Sequence, residues 1–404
     1  MPSVSMCFYL HHPVVMKPYS IFDLGSPESY WDWERWEEDF KTIEIQCLQP
    51  CLEIWEEWAK KGDTSFSLYI PGFLVRKMAK LSPSSLKKIQ KLVKKGVISM
   101  LSGTYTYSYA FLNDREAFTE QINLHEEVME EYFGGCSKIF FSPGWLYNNL
   151  LGFYLKHIGM QGVLAEGSEE MLNGRNPNKL YHVMHTPDLT VFLRDRKLCM
   201  NVMYDMGNRQ WDAFPLTVEK YASWIHYLSN IAENISLCFP LQTFGLMRKS
   251  SEGMFDFLRR FPEEVMKRNS FSFENMETIR KEKQPSEVWD VTDFVTEHPH
   301  TDIFRANSRQ VEAMESLLKL RETHGENFSP EIKQDWLLLQ QVDHLQRMHT
   351  DYNLADISGY PYEHISSAYS YYMQIVSDLE LKLKQGPAPE KRSPKRKPKK
   401  KVNG

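Results

Sequence analysis

Side chains that could bind or transform a ligand follow the ends of several short apolar runs. They include a histidine pair directly before a proline, three aromatic rings, two carboxyl or amide groups, and the glycine and proline beside them. These residues are His11, His12, Tyr105, Tyr107, Gly144, Trp145, Glu166, Pro240 and Gln242. Aromatic rings stack on the apolar faces of sugars, and polar edges bind sugar hydroxyls. The set therefore favours a sugar-like ligand.

One stretch, from Lys138 to Gly167, shows how such residues come together. Ile139 to Phe141 forms an apolar run, Trp145 to Ile158 is amphipathic, and Val163 to Ala165 forms a second apolar run. This pattern predicts a strand, a helix and a second strand running parallel to the first. Because parallel strands end at the same edge, we expect Trp145 and Glu166 on one rim, where α/β folds bind ligands.

The same alternation of strand and helix recurs over about 245 residues, with seven or eight strands. It predicts an α/β fold, a distorted (β/α)7-type barrel spanning residues 1–300. In three later segments the apolar residues recur with a helical period: Ser308 to His324, Pro330 to His349 and Tyr362 to Lys384. A C-terminal helical domain is therefore expected over 301–385. Residues 386–404 lack apolar side chains beyond an alanine and a valine, and we expect a disordered basic tail.

Composition restricts the class of protein. A net charge of −5 argues against nucleic-acid binding overall, although the tail cations from Lys391 to Lys401 could contact an acidic partner. The sequence has no apolar run of membrane-spanning length and no recognisable signal peptide, so a cytoplasmic protein is expected. Six scattered cysteines fit buried free thiols. Without an HxxxH or paired-aspartate motif, we expect no metal and no cofactor, and a metal-dependent polysaccharide deacetylase is disfavoured.

Four long stretches, in the same order, resemble glycoside hydrolase family 57, the α-amylase-like group. They are CFYLHHPVVMKPYSIFDLG, VISMLSGTYTYS, FFSPGWLYNNLLGFYLKHIGMQGVLAEG and ISLCFPLQTFGLMRKSSEGMFDFLRRFPEEV. The corresponding family segments usually contain a His-Gln-Pro motif, VEFLAGTYYHS, FRNTELIYNN followed by ILAEG, and LFMDYETFGEHQ. The resemblance extends to about residue 380 and implies a barrel that acts on α-glucan.

The resemblance also implies a retaining mechanism with a glutamate nucleophile and an aspartate acid/base. Such chemistry needs two carboxyl groups about 5 Å apart. In this sequence the nucleophile position is Gly144 and the acid/base position is Pro240, and neither can attack or transfer a proton. Other polar family positions have become Ser99, Tyr107 and Gln242. The sequence thus predicts a barrel whose catalytic positions are vacant.

Two other carboxylates are candidates for the site. Glu166, in the family's AEG context, is the candidate substitute catalyst, while Asp343 could bring a polar group from the helical region. The substrate-binding residues we expect are His11, His12, Tyr105, Tyr107, Trp145, Gln242 and Asp343. Three hypotheses remain: a catalytically impaired protein that binds α-glucan or maltooligosaccharide or regulates its metabolism, an active retaining hydrolase or transferase with relocated carboxylates, and a structural or partner-binding relic.

Overall fold

The computed structural model describes residues 1–294, 305–349 and 361–385. Its sheet is built from ten strands within those ranges. They are β1 (Ser3–Tyr9), β2 (Phe66–Tyr69), β3 (Ile98–Ser102), β4 (Ser137–Phe141), β5 (Gly162–Glu166), β6 (Leu180–Val183), β7 (Thr186–Arg194), β8 (Asn234–Pro240), β9 (Ser272–Phe273) and β10 (Glu287–Trp289).

Seven of these strands close into a parallel barrel, in the order β1, β2, β3, β4, β5, β7 and β8. Strand β8 pairs with β1 along its whole length, and one pair, Arg194 with Ser236, joins β7 to β8. Strand β6 lies antiparallel to β7 outside the ring, and β10 extends it. The single closing pair and this added ribbon distort the barrel. The predicted (β/α)7-type fold is confirmed.

Fifteen α-helices in the described part of the chain surround and extend the barrel. They are α1 (Trp33–Ile43), α2 (Gln49–Lys61), α3 (Gly72–Leu81), α4 (Pro83–Lys94), α5 (Arg115–Phe133), α6 (Asn149–His157), α7 (Glu169–Leu172), α8 (Arg196–Met200), α9 (Val218–Tyr227), α10 (Met254–Met266), α11 (Met276–Glu282), α12 (Ser308–His324), α13 (Pro330–Leu339), α14 (Val342–Gln346) and α15 (Ile365–Gln385). None of them is long and apolar enough to cross a membrane.

Two of the predicted helices differ in the structure. The helix expected from Trp145 begins only at Asn149, because the Asn148 side chain accepts the Leu151 N–H and caps the first turn. The helix expected from Pro330 to His349 is divided into α13 and α14 at Gln341, whose backbone is not helical. The apolar residues keep one helical period across Gln341, so the sequence pattern does not reveal the break.

The barrel interior is polar at one end and aromatic at the other. Near the beginning of the strands, the side chains of Ser5 and Ser236 hydrogen-bond to each other at 3.3 Å and are buried. At the opposite end, the rings of Tyr9 and Phe141 lie 5.1 Å apart although β1 and β4 are not neighbours. Contacts across the ring show that aromatic side chains fill the end of the barrel at which the strands terminate.

The C-terminal helices pack against two loops at that end. Gln341 Oε1 accepts the Val14 N–H at 2.9 Å, and Arg347 donates to the Val14 carbonyl at 3.0 Å. The Val342 N–H donates to the Tyr107 carbonyl at 3.1 Å. These contacts join the loops that follow β1 and β3 to α14. The boundary expected near residue 300 falls within 295–304, outside the described residues, and residues 386–404 likewise lie outside them.

Candidate functional site

The ends of the parallel strands bring several of the sequence-predicted residues together at the barrel mouth. His11, after β1, places Nε2 2.7 Å from Oδ2 of Asp343 in α14. The His11 ring stacks on Tyr107, after β3, with centroids 4.0 Å apart and planes 13° apart. Gln242, after β8, donates to the His11 carbonyl at 2.6 Å. These four residues form one hydrogen-bonded and stacked cluster, which we call the mouth cluster.

Asp343 is the charged member of the mouth cluster, and its side chain is 16% exposed. Burial by itself would raise the pKa of the carboxyl group, but the opposing effects of His11 and Arg347 lower that pKa to about 2. The group is therefore an anion at neutral pH. A carboxylate of this kind accepts hydrogen bonds from a ligand hydroxyl and is a poor proton donor.

The backbone around Gly144 is unusual. Gly144 has a φ of +56°, and two aromatic residues, Tyr107 and Trp145, each have a φ of +62°. The Gly144 N–H also donates to the Tyr107 hydroxyl at 3.2 Å. A left-handed conformation in a non-glycine residue costs about 1–3 kcal/mol and is concentrated at functional sites. The two aromatic residues are therefore held in a strained backbone conformation at the mouth.

The space beside Gly144 is already filled. A β-carbon built on this residue would overlap the Tyr109 hydroxyl and lie 3.0 Å from the ring carbon that carries it. Tyr109 is buried, with 3% of its surface exposed. Position 144, which the sequence resemblance aligns with the family nucleophile, thus has no carboxylate, and a neighbouring phenol occupies the volume that a carboxylate side chain would need.

Pro240, which the sequence resemblance aligns with the family acid/base, is the last residue of β8 and lies opposite Tyr9 of β1 in the sheet register. Its ring has no ionisable group, and its nitrogen carries no proton. Gln242, two residues later, offers an amide, which is used in the bond to His11. Neither Pro240 nor Gln242 therefore supplies an acid.

Glu166, the candidate substitute catalyst, lies at the end of β5 but points into the protein. Its carboxylate binds Arg194 of β7, with Nη1 and Oε2 2.9 Å apart, and the two side chains are 0% and 1% exposed. The guanidinium also lies 5.1 Å from the centre of the Trp145 ring. Glu166 and Arg194 therefore form a buried ion pair next to the Trp145 ring, and this pair joins the ends of β5 and β7.

Two predicted binding residues lie apart from the mouth cluster. His12 turns to α1, where Nε2 lies 2.9 Å from the Trp36 carbonyl, and burial lowers its pKa to about 4. Tyr105 packs against α3, in edge contact with Phe73 at 6.3 Å and with the Arg76 guanidinium 5.9 Å from its ring. The structure gives both side chains packing partners on the surrounding helices.

Tyr109 and Arg194 shape the mouth, although neither is among the site residues expected from the sequence. Arg194 has a recognisable signal, because it ends an apolar strand run, TVFLR, where a buried cation requires an anion. For Tyr109 we find no such signal. Among the described residues, no group of three or more histidine, cysteine, aspartate or glutamate side chains is arranged to hold a metal ion.

Comparison with known proteins agrees with this architecture. The model of glycosyl hydrolase family 57 matches residues 5–303. A Methanocaldococcus jannaschii protein named "Putative alpha-amylase" is 28% identical over 377 residues, covering 89% of this chain and 79% of that protein.

Two solved structures are similar in fold. The 4-alpha-glucanotransferase of Thermococcus litoralis has a TM-score of 0.66 and 14% identity, with 85% of this chain covered. This chain spans only 56% of that enzyme's length. The GH57-type branching enzyme of Pyrococcus horikoshii has a TM-score of 0.67 and 13% identity, with 93% and 88% of the two chains covered. The family match over most of the sequence shows that this chain belongs to glycosyl hydrolase family 57.

Proposed function

We propose that this chain is a non-hydrolytic member of family 57 that acts in carbohydrate metabolism by binding α-glucan at the barrel mouth. The observation that carries the proposal is the occupation of the Gly144 side-chain space by the Tyr109 hydroxyl. With Pro240 at the second position, no pair of carboxylates faces the anomeric centre of a sugar from the two family positions. Loss of these groups removes the covalent and proton-transfer contributions to catalysis.

The choice of α-glucan is supported by the names of the similar proteins. They include an alpha-amylase by provisional name, a 4-alpha-glucanotransferase and a branching enzyme. The mouth cluster also has the chemistry to bind hydroxyl groups. Asp343 accepts hydrogen bonds, the His11 edge can donate or accept them, and Gln242 is an amide at the partly exposed margin. The Tyr107 ring stacks on one face of the His11 ring.

The first experiment measures hydrolysis and binding on the same purified full-length protein. We expect no release of reducing ends from soluble starch or glycogen, and retarded migration in native gels that contain glycogen. Asp343→Asn removes the anion from the mouth cluster and should weaken that retardation. Release of reducing ends that Asp343→Asn abolishes would instead establish an active enzyme with relocated carboxylates.

The matched control is Asp188→Asn. Asp188 lies near the beginning of β7, is exposed, and pairs with Lys156 at 3.6 Å, so this variant makes the same charge change at the other end of the barrel. Its retardation by glycogen, measured relative to a gel without glycogen, should equal that of the unmodified protein. If glycogen does not retard the unmodified protein, or if both variants lose retardation equally, α-glucan binding at the mouth is rejected.

Two further properties belong to the same proposal. We place the protein in the cytoplasm, which cell fractionation would test, and we assign the cations from Lys391 to Lys401 to contact with an acidic partner. Those cations lie outside the described residues, and the assignment rests on their charge alone. A pull-down with the full chain and with residues 1–385 tests it, since capture that survives the truncation excludes the tail.

A further inference from the structure

A concave site lies at the end of the barrel opposite the mouth. It is an open cavity of about 380 Å³ between β3, the start of β4 and helix α11. This volume is near the lower end of the range for small-molecule sites, roughly 300–1,000 Å³. We call it the floor cavity.

An irregularity in the sheet creates the floor cavity. Leu101 of β3 pairs with Ser137 of β4, yet the next residue, Ser102, pairs with Phe140. One step along β3 thus matches three along β4, and the pairing of the two strands begins only at Leu101. The loop that contains Gly134 and Gly135 borders the gap.

Helix α11 lies across this gap and is fixed to the neighbouring strand. Its first residue, Met276, donates its N–H to Ser67 Oγ at 3.1 Å, and the Asn275 N–H donates to Ser65 Oγ at 3.0 Å. Ser99 of β3 donates to Glu277 at 3.4 Å across the cavity. Hydrogen bonds therefore hold the walls of the cavity on two sides.

The lining combines hydroxyl groups with balanced charge. Glu277 and Lys281, one turn apart on α11, lie 2.8 Å from each other and neutralise one another. The Ser137 side chain lines the cavity, is 5% exposed, and has no hydrogen-bond partner among the described residues. A buried hydroxyl without a partner is costly, and rotation about its Cα–Cβ bond can turn it towards an occupant.

The remaining walls are apolar. Met100 is buried at the back, and Phe133 is partly exposed at the side. Cys136 also lines the cavity, but burial raises the pKa of its thiol to about 12, so it is not a nucleophile at neutral pH. The lining can bind a molecule and has no group suited to attacking one.

We infer that the floor cavity binds a small neutral polyol of monosaccharide size. Such a ligand offers hydroxyl donors to Glu277, hydroxyl acceptors to Lys281 and Ser137, and an apolar face to Met100 and Phe133. A charged ligand is disfavoured, because it would have to break the Glu277–Lys281 pair to gain a partner. This site is separate from the mouth cluster and does not depend on the proposed glucan binding.

The test is a titration of the purified full-length protein with glucose, followed by saturation-transfer NMR. Lys281→Ala and Ser137→Ala each remove one ligand contact, and we expect each to weaken glucose binding about fivefold or more, as the loss of one hydrogen bond implies. Lys281 is 61% exposed, so its replacement leaves the fold intact. Lys319→Ala, the same change at an exposed position of α12, should leave glucose affinity unchanged.

The outcomes separate this inference from the proposed function. Lys281→Ala and Ser137→Ala are the two floor variants. Glucose binding that weakens in both of them and persists in Asp343→Asn supports the floor cavity. The inference is overturned by absence of glucose binding in the upper millimolar range, by floor variants that bind like the unmodified protein, or by binding that only Asp343→Asn removes. Retardation in native gels that contain glycogen should be equal for Lys281→Ala and the unmodified protein, since the mouth cluster is intact in both.

Discussion

The Tyr109 hydroxyl occupies the space into which a side chain on residue 144 would extend. The two residues are separated by the whole of α5 and β4, so the contact arises from the loops that follow β3 and β4. The volume that a side chain at position 144 would need is therefore filled. The mouth cluster lies next to this filled volume, since the Gly144 N–H donates to the Tyr107 hydroxyl.

The first prediction concerns restoration of the family carboxylates. Gly144→Glu with Pro240→Asp should destabilise the protein and restore no hydrolysis. Overpacking costs roughly 1–3 kcal/mol, and a left-handed non-glycine residue adds about 1–2 kcal/mol. Adding Tyr109→Phe should recover part of the lost stability, because it removes the overlapping hydroxyl oxygen and keeps the buried ring. Urea denaturation and reducing-end assays measure the two effects.

Gly62→Ala is the control for the backbone contribution. Gly62 has a φ of +78°, and among the described residues no heavy atom beyond its own chain neighbours lies within 4 Å of the point that a β-carbon would occupy. This variant therefore introduces the conformational cost alone. Gly144→Ala should be more destabilising than Gly62→Ala. Equal effects would show that Tyr109 does not restrict the site.

The second prediction concerns Glu166 and Arg194. Glu166→Gln leaves a buried guanidinium without its anion and should lower the free energy of unfolding by about 3–5 kcal/mol. Replacing both residues with methionine should cost less than the sum of the two single methionine replacements. A double-mutant cycle in urea measures this coupling. A fully stable Glu166→Gln variant with altered activity would show that Glu166 has a catalytic role instead.

The third prediction concerns the acid response of Asp343. Its folded pKa, about 2, is below its ordinary value of 3.8, so ionisation of this group stabilises the fold at every pH above 3.8. That stabilisation, about 2 kcal/mol, should be lost as the pH falls from 3.8 to about 2. The difference in unfolding free energy between the unmodified protein and Asp343→Asn should shrink over this window. A constant difference would contradict the ion pair with His11.

The fourth prediction concerns His12, which is buried and neutral. Its pKa falls from 6.5 to about 4 on folding, so the unfolded chain binds a proton that the folded chain excludes between these values. Stability contributed by the neutral imidazole is complete above pH 6.5 and is lost towards pH 4, by about 3 kcal/mol.

His12→Phe lacks the titrating group and should show a weaker fall in unfolding free energy between pH 6.5 and pH 4. His125 in α5 is fully buried, and its pKa is lowered to a similar value. His125→Phe is therefore the positive control, in which the same weakening is expected. If His12→Phe and the unmodified protein lose stability in parallel over this window, His12 is not neutral and buried as described.

The alternation of short apolar runs with amphipathic segments was enough to predict the barrel and the rim. Parallel strands end at one edge, so Trp145 and Glu166 had to share it, and the structure places both there. The pattern failed at Gln341, where one helical period spans two helices. The spacing of the apolar residues indicates which face of a helix is buried. Because two consecutive helices can bury the same face, that spacing does not show where one helix ends.

The sequence by itself determined the strand–helix order, the set of residues at the strand ends and the absence of carboxylates at positions 144 and 240. Only the tertiary structure decided how those residues are used. Tyr109 fills the space beside Gly144, Arg194 neutralises Glu166, and Asp343 reaches His11 across 332 positions of sequence. Periodicity is a local property of the chain, whereas side-chain packing and ion pairing depend on groups that become neighbours only when the barrel closes.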